Sequence, residues 1–366
     1  MHVNRRDVMA LALGGAALSP GHGMAAAADS TGLDGKTIEW MIPFDVGGGT
    51  DVRSRFHLPW LKKYLKSRVN IVVVNKPGAG SISGTNSFYA NRARRDELNM
   101  LSTGGSTNIA MMMKPPAMKF NFLDMIPIAS FSVGSVWYVA RDTGVRTVAD
   151  LKHPSKVLHY AGVAASGRDL SGLLAFDLLG IEVQVTLGYT SGGASTLLNF
   201  ERGESNFDMQ TTSVFRSRLA NRPDVVPIYA DGVLDEKGDV ARDPNWPELP
   251  TVKEAYVTLH GDEPSGPQWD AYKIALGTRA GLDMLVWLHA DAPQNVVDEL
   301  TQAFRDMSGD PEYQKALEQQ TGSNPPIVGQ EHLKPLVKQT FDIDPKVREW
   351  LYGWLEQKYK IPRPSK

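Results

Sequence analysis

The sequence predicts an α/β fold, and three observations carry the prediction. Strand-like runs alternate with helical stretches, the turns between them are rich in glycine, and the strands themselves are strongly apolar and β-branched. Thr37-Ile38-Glu39-Trp40-Met41-Ile42 reads as a first strand closed by Pro43. Gly47-Gly48-Gly49-Thr50-Asp51 follows, and then an apolar-periodic stretch through Val52, Phe56, Leu61, Tyr64 and Leu65. Thr50 or Asp51 is the expected helix cap, and Pro59 is expected to kink or divide the helix. Asn70 to Val74 reads as a fully buried parallel strand; it ends at Pro77-Gly78-Ala79-Gly80-Ser81. Leu98 to Leu101 leads into a third small-residue loop, Thr103-Gly104-Gly105-Ser106-Thr107.

A second set repeats the pattern. Ser135 to Val139 is strand-like, and Leu158 to Ala161 leads into Ala165-Ser166-Gly167-Arg168-Asp169. Leu170 to Leu179 is helical, with Gly180 as its C-terminal cap. Val183 to Leu187 is a strand entering Gly188-Tyr189-Thr190-Ser191-Gly192-Gly193. From Asp231 through Pro267 the chain reads as loop-rich, and peripheral helices are expected from Val296 onward. Trp137 and Met111-Met112-Met113 are read as core packing. At 366 residues the chain exceeds a single core, so two domains are expected.

Composition narrows the chemistry. A formal net charge of −2 argues against a nucleic-acid partner. The absence of cysteine excludes disulfides, thiolate metal sites and attachment through a lipidated cysteine. Arg5 and Arg6 precede an apolar run from Val8 to Leu18, Pro20, and Ala25 to Ala28. That order reads as a secretory leader over 1–28, cleaved near Ala28, and the paired arginines allow the twin-arginine route. Outside it, no apolar run is long enough to span a bilayer.

Catalytic signatures fail one by one. Gly35-Lys36-Thr37 ends like a phosphate-binding loop, but Ser30 stands where its first glycine belongs. No Gly-x-Ser-x-Gly elbow and no His-Glu-x-x-His motif occurs. Neither an enzyme nor a cofactor or metal site is expected. The small-residue loops at strand-to-helix junctions are instead suited to anions, through free backbone N–H groups, helix N-termini and nearby hydroxyls.

Four ordered motifs sharpen that reading. Pro43-Phe44-Asp45-Val46-Gly47-Gly48-Gly49-Thr50-Asp51 with Arg55, Asn75-Lys76-Pro77-Gly78-Ala79-Gly80, Gly188 to Ala194 with Arg202-Gly203-Glu204 and Asp208, and Leu249 to Ala255 resemble the signatures of the solute-binding receptors of tripartite tricarboxylate transporters, the Bug receptors. The similarity runs from about Ile38 to the C-terminus. It implies a two-domain periplasmic-binding-protein fold, type 2-like, with an interdomain ligand cleft and two crossover segments. Residues 29–131 and 231–366 would form domain 1 and 132–230 domain 2. The resemblance also implies a small di-, tri- or aromatic carboxylate as ligand, closure by a hinge, and integral-membrane permease subunits as partners.

By the same resemblance Phe44, Gly47, Gly48, Gly49, Gly78, Ala79, Gly80 and Ser81 would help form one wall of the cleft, and Thr103 and Ser106 are further ligand-binding candidates. Ser166, Gly167, Arg168, Tyr189 and Gly192 would help form the other, and Thr212 is a further candidate. Phe44 would pack on the ligand's apolar body. Arg168 is either a bidentate clamp for a distal carboxylate or a solvated loop arginine, and Tyr189 either lines the cleft or packs in a core. The sequence departs from the family pattern in Met209 to Ser213 and in a longer stretch from Asp235 to Trp269. A sensory protein feeding a kinase is an alternative, as is an amino-acid receptor using Asp51 or Asp169 against an ammonium group.

Overall fold

The computed structural model describes residues 33–47, 49–91, 98–189, 193–235, 237–321 and 326–363; the expected leader, Gly48 and Gly192 lie outside them. The chain opens with three strand–helix passages. They are β1 (Thr37–Ile42) to α1 (Gly49–Tyr64), β2 (Asn70–Asn75) to α2 (Ile82–Ala90), and β3 (Leu98–Thr103) to α3 (Gly105–Met113). After β4 (Ile126–Phe131) the chain passes directly to a second sheet at β5 (Ser135–Ala140).

That sheet is completed by β6 (Leu158–Ala161), α4 (Leu170–Leu179), β7 (Val183–Thr186), α5 (Gly193–Glu201), β8 (Phe207–Thr211), α6 (Thr212–Val214) and β9 (Val225–Ala230). A short hairpin, β10 (Val233–Leu234) with β11 (Val240–Ala241), then leads to α7 (Val252–His260) and α8 (Pro267–Leu276). Strand β12 (Met284–Leu288) returns to the first sheet. The remaining elements are α9 (Gln294–Gly309), α10 (Pro311–Thr321), β13 (Ile327–Val328), α11 (Gln330–Phe341) and α12 (Pro345–Tyr359).

The first sheet has the order β13-β4-β12-β3-β1-β2 and the second β7-β6-β8-β5-β9. β1 pairs in parallel with both β2 and β3, whereas β12 runs antiparallel between β3 and β4. The α/β expectation holds. Side chains alternate across each strand: Ile38 and Trp40 enter one core cluster and Met41 another, while Trp137 and Val139 enter a third and Val136 and Tyr138 a fourth.

Trp137 is fully buried, as expected, and its indole donates to Asp231 at 2.6 Å. Its ring fits against α4 only because residue 172 is glycine; a Cβ there would stand 2.2 Å from the ring. The third cluster also draws in Val347, Leu351 and Leu355, spaced by four along α12. The C-terminal helix therefore packs with α4 and α8 on the second sheet.

Three local readings change. Strand β2 is not fully buried: it is the terminal strand of its sheet, and Val72 is 42% exposed. Pro59 lies inside a single helix, α1, rather than dividing it. The stretch after Asp231 contains α7, whose Thr251 and Glu254 cap each other's backbone N–H groups. Strand β12 was not anticipated either. Its five residues, MLVWL, are all buried at the centre of the first sheet, so they carry no alternation to betray them.

On the buried face of α1, the fully buried His57 stacks on Phe131 with ring centroids 3.9 Å apart, and its Nδ1 lies 3.1 Å from the Tyr313 hydroxyl. Burial, reinforced by the positive charge of Arg53, holds the imidazole's pKa well below its ordinary value of 6.5. The folded state keeps His57 neutral while the unfolded chain takes up a proton below about pH 6.5. This contribution is therefore fully present above that pH and is lost as the pH falls toward the lower folded value. Replacing it in His57→Phe should narrow the fall in melting temperature between pH 7.5 and 5.0 by roughly 2 °C or more, measured by calorimetry against the parent chain.

Candidate functional site

The first loop is held by one buried carboxylate. Asp51 accepts from the Gly47 N–H at 2.8 Å, from Arg55 Nε at 2.9 Å and from Asn75 Nδ2 at 2.9 Å. Burial pushes its pKa up, but the three donors outweigh it and hold the carboxyl below its ordinary value. Asp51 thus ties loop, helix and β2 together from inside α1, where a simple cap at the helix start was expected. Phe44 lies over the turn into α3, where a Cβ on Gly104 would come within 3.3 Å of its ring and 2.6 Å of Thr50 Oγ1.

The second loop is a run of left-handed backbone. Gly78, Ala79, Gly80 and Ser81 have φ values of 135°, 46°, 63° and 86°. Two of the four carry a Cβ, a conformation that costs about 1–3 kcal/mol per residue and persists only where surroundings impose it. The constraint is visible: Ser81 is buried, its hydroxyl donates to Thr107 Oγ1 at 2.8 Å, and its carbonyl accepts from Thr85. Thr103 is also committed internally, accepting from the Trp287 indole at 2.9 Å. Ala79, Gly80 and Ser106 are open to solvent.

On the second sheet, the loop after β6 is pinned by Asp169, which accepts from the Tyr160 hydroxyl and the Val163 and Ala164 N–H groups at 2.6–2.8 Å. Arg168 next to it donates from Nη2 to the Met209 carbonyl at 3.2 Å. Burial works against its charge, yet Tyr160, Asp169 and Asp208 together keep the guanidinium firmly protonated. Asp208 is buried, with its pKa raised by burial, and accepts from Tyr138 and Gln210. Arg168 Nη1 is itself buried and has no hydrogen-bond partner. Tyr189 accepts from Asn199 at 2.7 Å and is half-buried. Thr212 is fully buried and accepts from the Trp246 indole at 2.9 Å.

Two cavities flank the Ser166–Arg168 loop. The first, about 560 Å³, is lined by Gly49, Val52 and Arg53 from the start of α1 and by Arg168, Gln210, Thr211 and Ser213 from the second sheet and its loops. The second, about 460 Å³, is lined by Ala79, Gly80, Ser106, Ser166 and Gly167 together with Met113 and Ile361. Seven of the expected residues thus line one cavity or the other: Gly49 and Arg168 the first, the remaining five the second. Thr103, Ser81 and Thr212 are buried in hydrogen-bonded packing, while Phe44, Gly47, Gly78 and Tyr189 border the same loops without lining either cavity.

The chemistry of the first cavity is cationic. Besides Arg168 it contains Arg53, Arg218 and Arg279, none of which the sequence motifs single out. Arg279 contacts the Arg168 carbonyl at 3.3 Å and lies 3.7 Å from Asp231; Arg218 is paired with Glu201 at 2.9 Å. The signal for Arg53 was its place one turn into α1, two residues before Arg55; Arg279 lies far from every motif. Among the described residues, no group of three His, Asp or Glu is placed to hold a metal, and no helix is long and apolar enough to cross a membrane.

No protein-family profile matches the chain. A curated relative, the UPF0065 protein in the tcbD–tcbE intergenic region of Pseudomonas sp. (strain P51), is 26% identical over 229 residues, 60% of this chain and 63% of that one. The chain thus aligns with less than two thirds of that relative's length. Solved structures match more fully. A TctC solute-binding protein from Polaromonas superposes with a TM-score of 0.62 at 17% identity, covering 88% of this chain and 99% of that one. MatC from Rhodopseudomonas palustris with bound malate gives 0.59 at 16% identity, covering 86% and 99%. The periplasmic binding protein BugD gives 0.54 at 20% identity, covering 89% and 97%. The chain has the α/β fold of these binding proteins, as the motifs led one to expect.

Asp51 is the tie that can be tested without touching either cavity. Asp51→Ala leaves the Gly47 N–H, Asn75 and Arg55 without their acceptor, and it should lower the unfolding free energy by about 2–3 kcal/mol. Urea unfolding of the variant beside the parent chain measures it.

Proposed function

We infer that the chain is an extracytoplasmic solute receptor that captures a small carboxylate between its two sheets and passes it to a membrane permease. The observation that carries the reading is the buried, unpartnered Nη1 of Arg168 beside the arginine-lined first cavity. A buried guanidinium N–H without an acceptor is costly, and a carboxylate supplies the planar acceptor that suits it best. The rest of Arg168 is fixed by Met209 and balanced by Asp169, so the group is oriented before a ligand arrives. Val52, Val133, Leu197 and Val214 give the same cavity an apolar side for a carbon chain.

The rival ammonium-binding reading loses its candidates. Asp51 and Asp169 each accept three hydrogen bonds from their own surroundings. The two sheets are taken as the two domains, joined through 132–134 and through the segment after Ala230. Closure about these joints would bring Arg168 and α1 together on the ligand. Export by the leader over 1–28, a periplasmic location and delivery to tripartite tricarboxylate transporter subunits complete the proposal; malate bound to MatC, and adipate bound to another R. palustris protein of this fold with a TM-score of 0.59, support the ligand class.

A thermal-shift screen of small carboxylates against neutral analogues tests it. Ligand at about 100 times its dissociation constant stabilises the folded state by about 2.7 kcal/mol, a rise of several degrees. Arg168→Gln should weaken carboxylate binding about 100-fold, the loss expected for a desolvated charge pair. Binding of neutral solutes alone, or undiminished carboxylate binding by the variant, would refute the assignment.

A further inference from the structure

One contact in the first cavity has the form of a substitution that a ligand could perform. Arg53, in the first turns of α1, lines the same cavity as Arg168. Its Nη1 lies 2.6 Å from Asp283 Oδ2, close enough for an ion pair, but the N–H is poorly directed and forms no hydrogen bond there. The pair is largely shielded, with side chains 16% and 20% exposed, and both residues line the cavity. Asp283 is its acidic lining residue, set immediately before β12 and beside the start of α3. Arg279 and Arg218 are held by Asp231 and Glu201, neither of which lines the cavity; Asp283 alone among these partners does.

We propose that Asp283 is a built-in competitor for the ligand, occupying the guanidinium of Arg53 that the second carboxylate of a dianionic solute must take over. A monoanion engages Arg168 and leaves the Arg53–Asp283 pair intact. A dianion long enough to reach α1 must displace Asp283, exchanging one carboxylate for another on Arg53. The strength of the resident pair therefore sets how strongly the cavity prefers dianions over monoanions, and it holds the affinity for dianions below what two arginines alone would give. This rests on the carboxylate reading of the cavity.

The test uses adipate as the dianion and its monomethyl ester as the monoanion of the same length, with dissociation constants measured by calorimetry. Asp283→Asn should tighten adipate binding about tenfold or more, the effect of one like charge removed at close range, and tighten the monoester by much less. Arg53→Gln should bring adipate down to the affinity of the monoester. Adding Asp283→Asn to Arg53→Gln should then restore nothing, because the competitor has lost its target. Equal tightening of both ligands in Asp283→Asn would mean a general field effect and would overturn the proposal, as would no change, or a full gain in the double variant. Failure of the carboxylate reading itself looks different: neither compound binds the parent chain, or Arg168→Gln leaves both affinities unaltered.

Discussion

Parallel pairing is the constraint from which the rest follows. Because β1 lies between β2 and β3 and runs parallel to both, the chain cannot turn back tightly and must return through a helix each time. All three strand-to-helix turns then fall on the same edge of the sheet, where helix N-termini and free N–H groups collect. The parallel trio β7-β6-β8 imposes the same rule on the second sheet. A direct passage from β4 to β5 through three residues leaves the two sheets in close sequence, and the Ser166–Arg168 loop comes to stand between a cavity on either side.

Polar groups in and below that region are arranged by burial rather than by the ligand. Asp51, Asp169 and Asp231 each sit out of solvent and each organise neighbours: a glycine loop, a turn and Trp137. The carboxylates of Asp169 and Asp231 offset the cost of holding Arg168 and Arg279 largely out of water. Such an arrangement fixes the side chains before anything binds, so less freedom remains to be lost on association. It also explains why hydroxyls that the motif singled out, on Ser81, Thr103 and Thr212, are bonded to Thr107, Trp287 and Trp246. They hold the walls in shape.

What could be read from the sequence was local, and what could not was nonlocal. Strands β1 and β3, helix α4 with its glycine cap, and the three glycine turns were legible because each is written in adjacent residues. Strand β12 was hidden because a strand covered on both faces has no period. The openness of β2 was hidden because it depends on the absence of a neighbouring strand, not on Asn70 to Asn75 themselves. The site divides in the same way. Gly49 and Arg168 were found through motifs; Arg53 lies one helical turn beyond Gly49, and folding brings Arg279 to the same cavity from 226 positions further along the chain. Asp283 carries no motif at all, and only its position opposite Arg53 marks it.

The path of the chain after α12 bears on how the protein can be handled. Ile361, Pro362 and Arg363 lie against the second cavity, with Ile361 bonded back to Leu355 and Arg363 paired with Glu356 at 2.8 Å. An affinity handle or fluorescent fusion joined just beyond this point would emerge at the mouth of that opening, beside Gly80 and Ser166. Binding assays on such material would be reading the handle as well as the protein, so the same label is better carried on the exposed turn at Gly261, after α7.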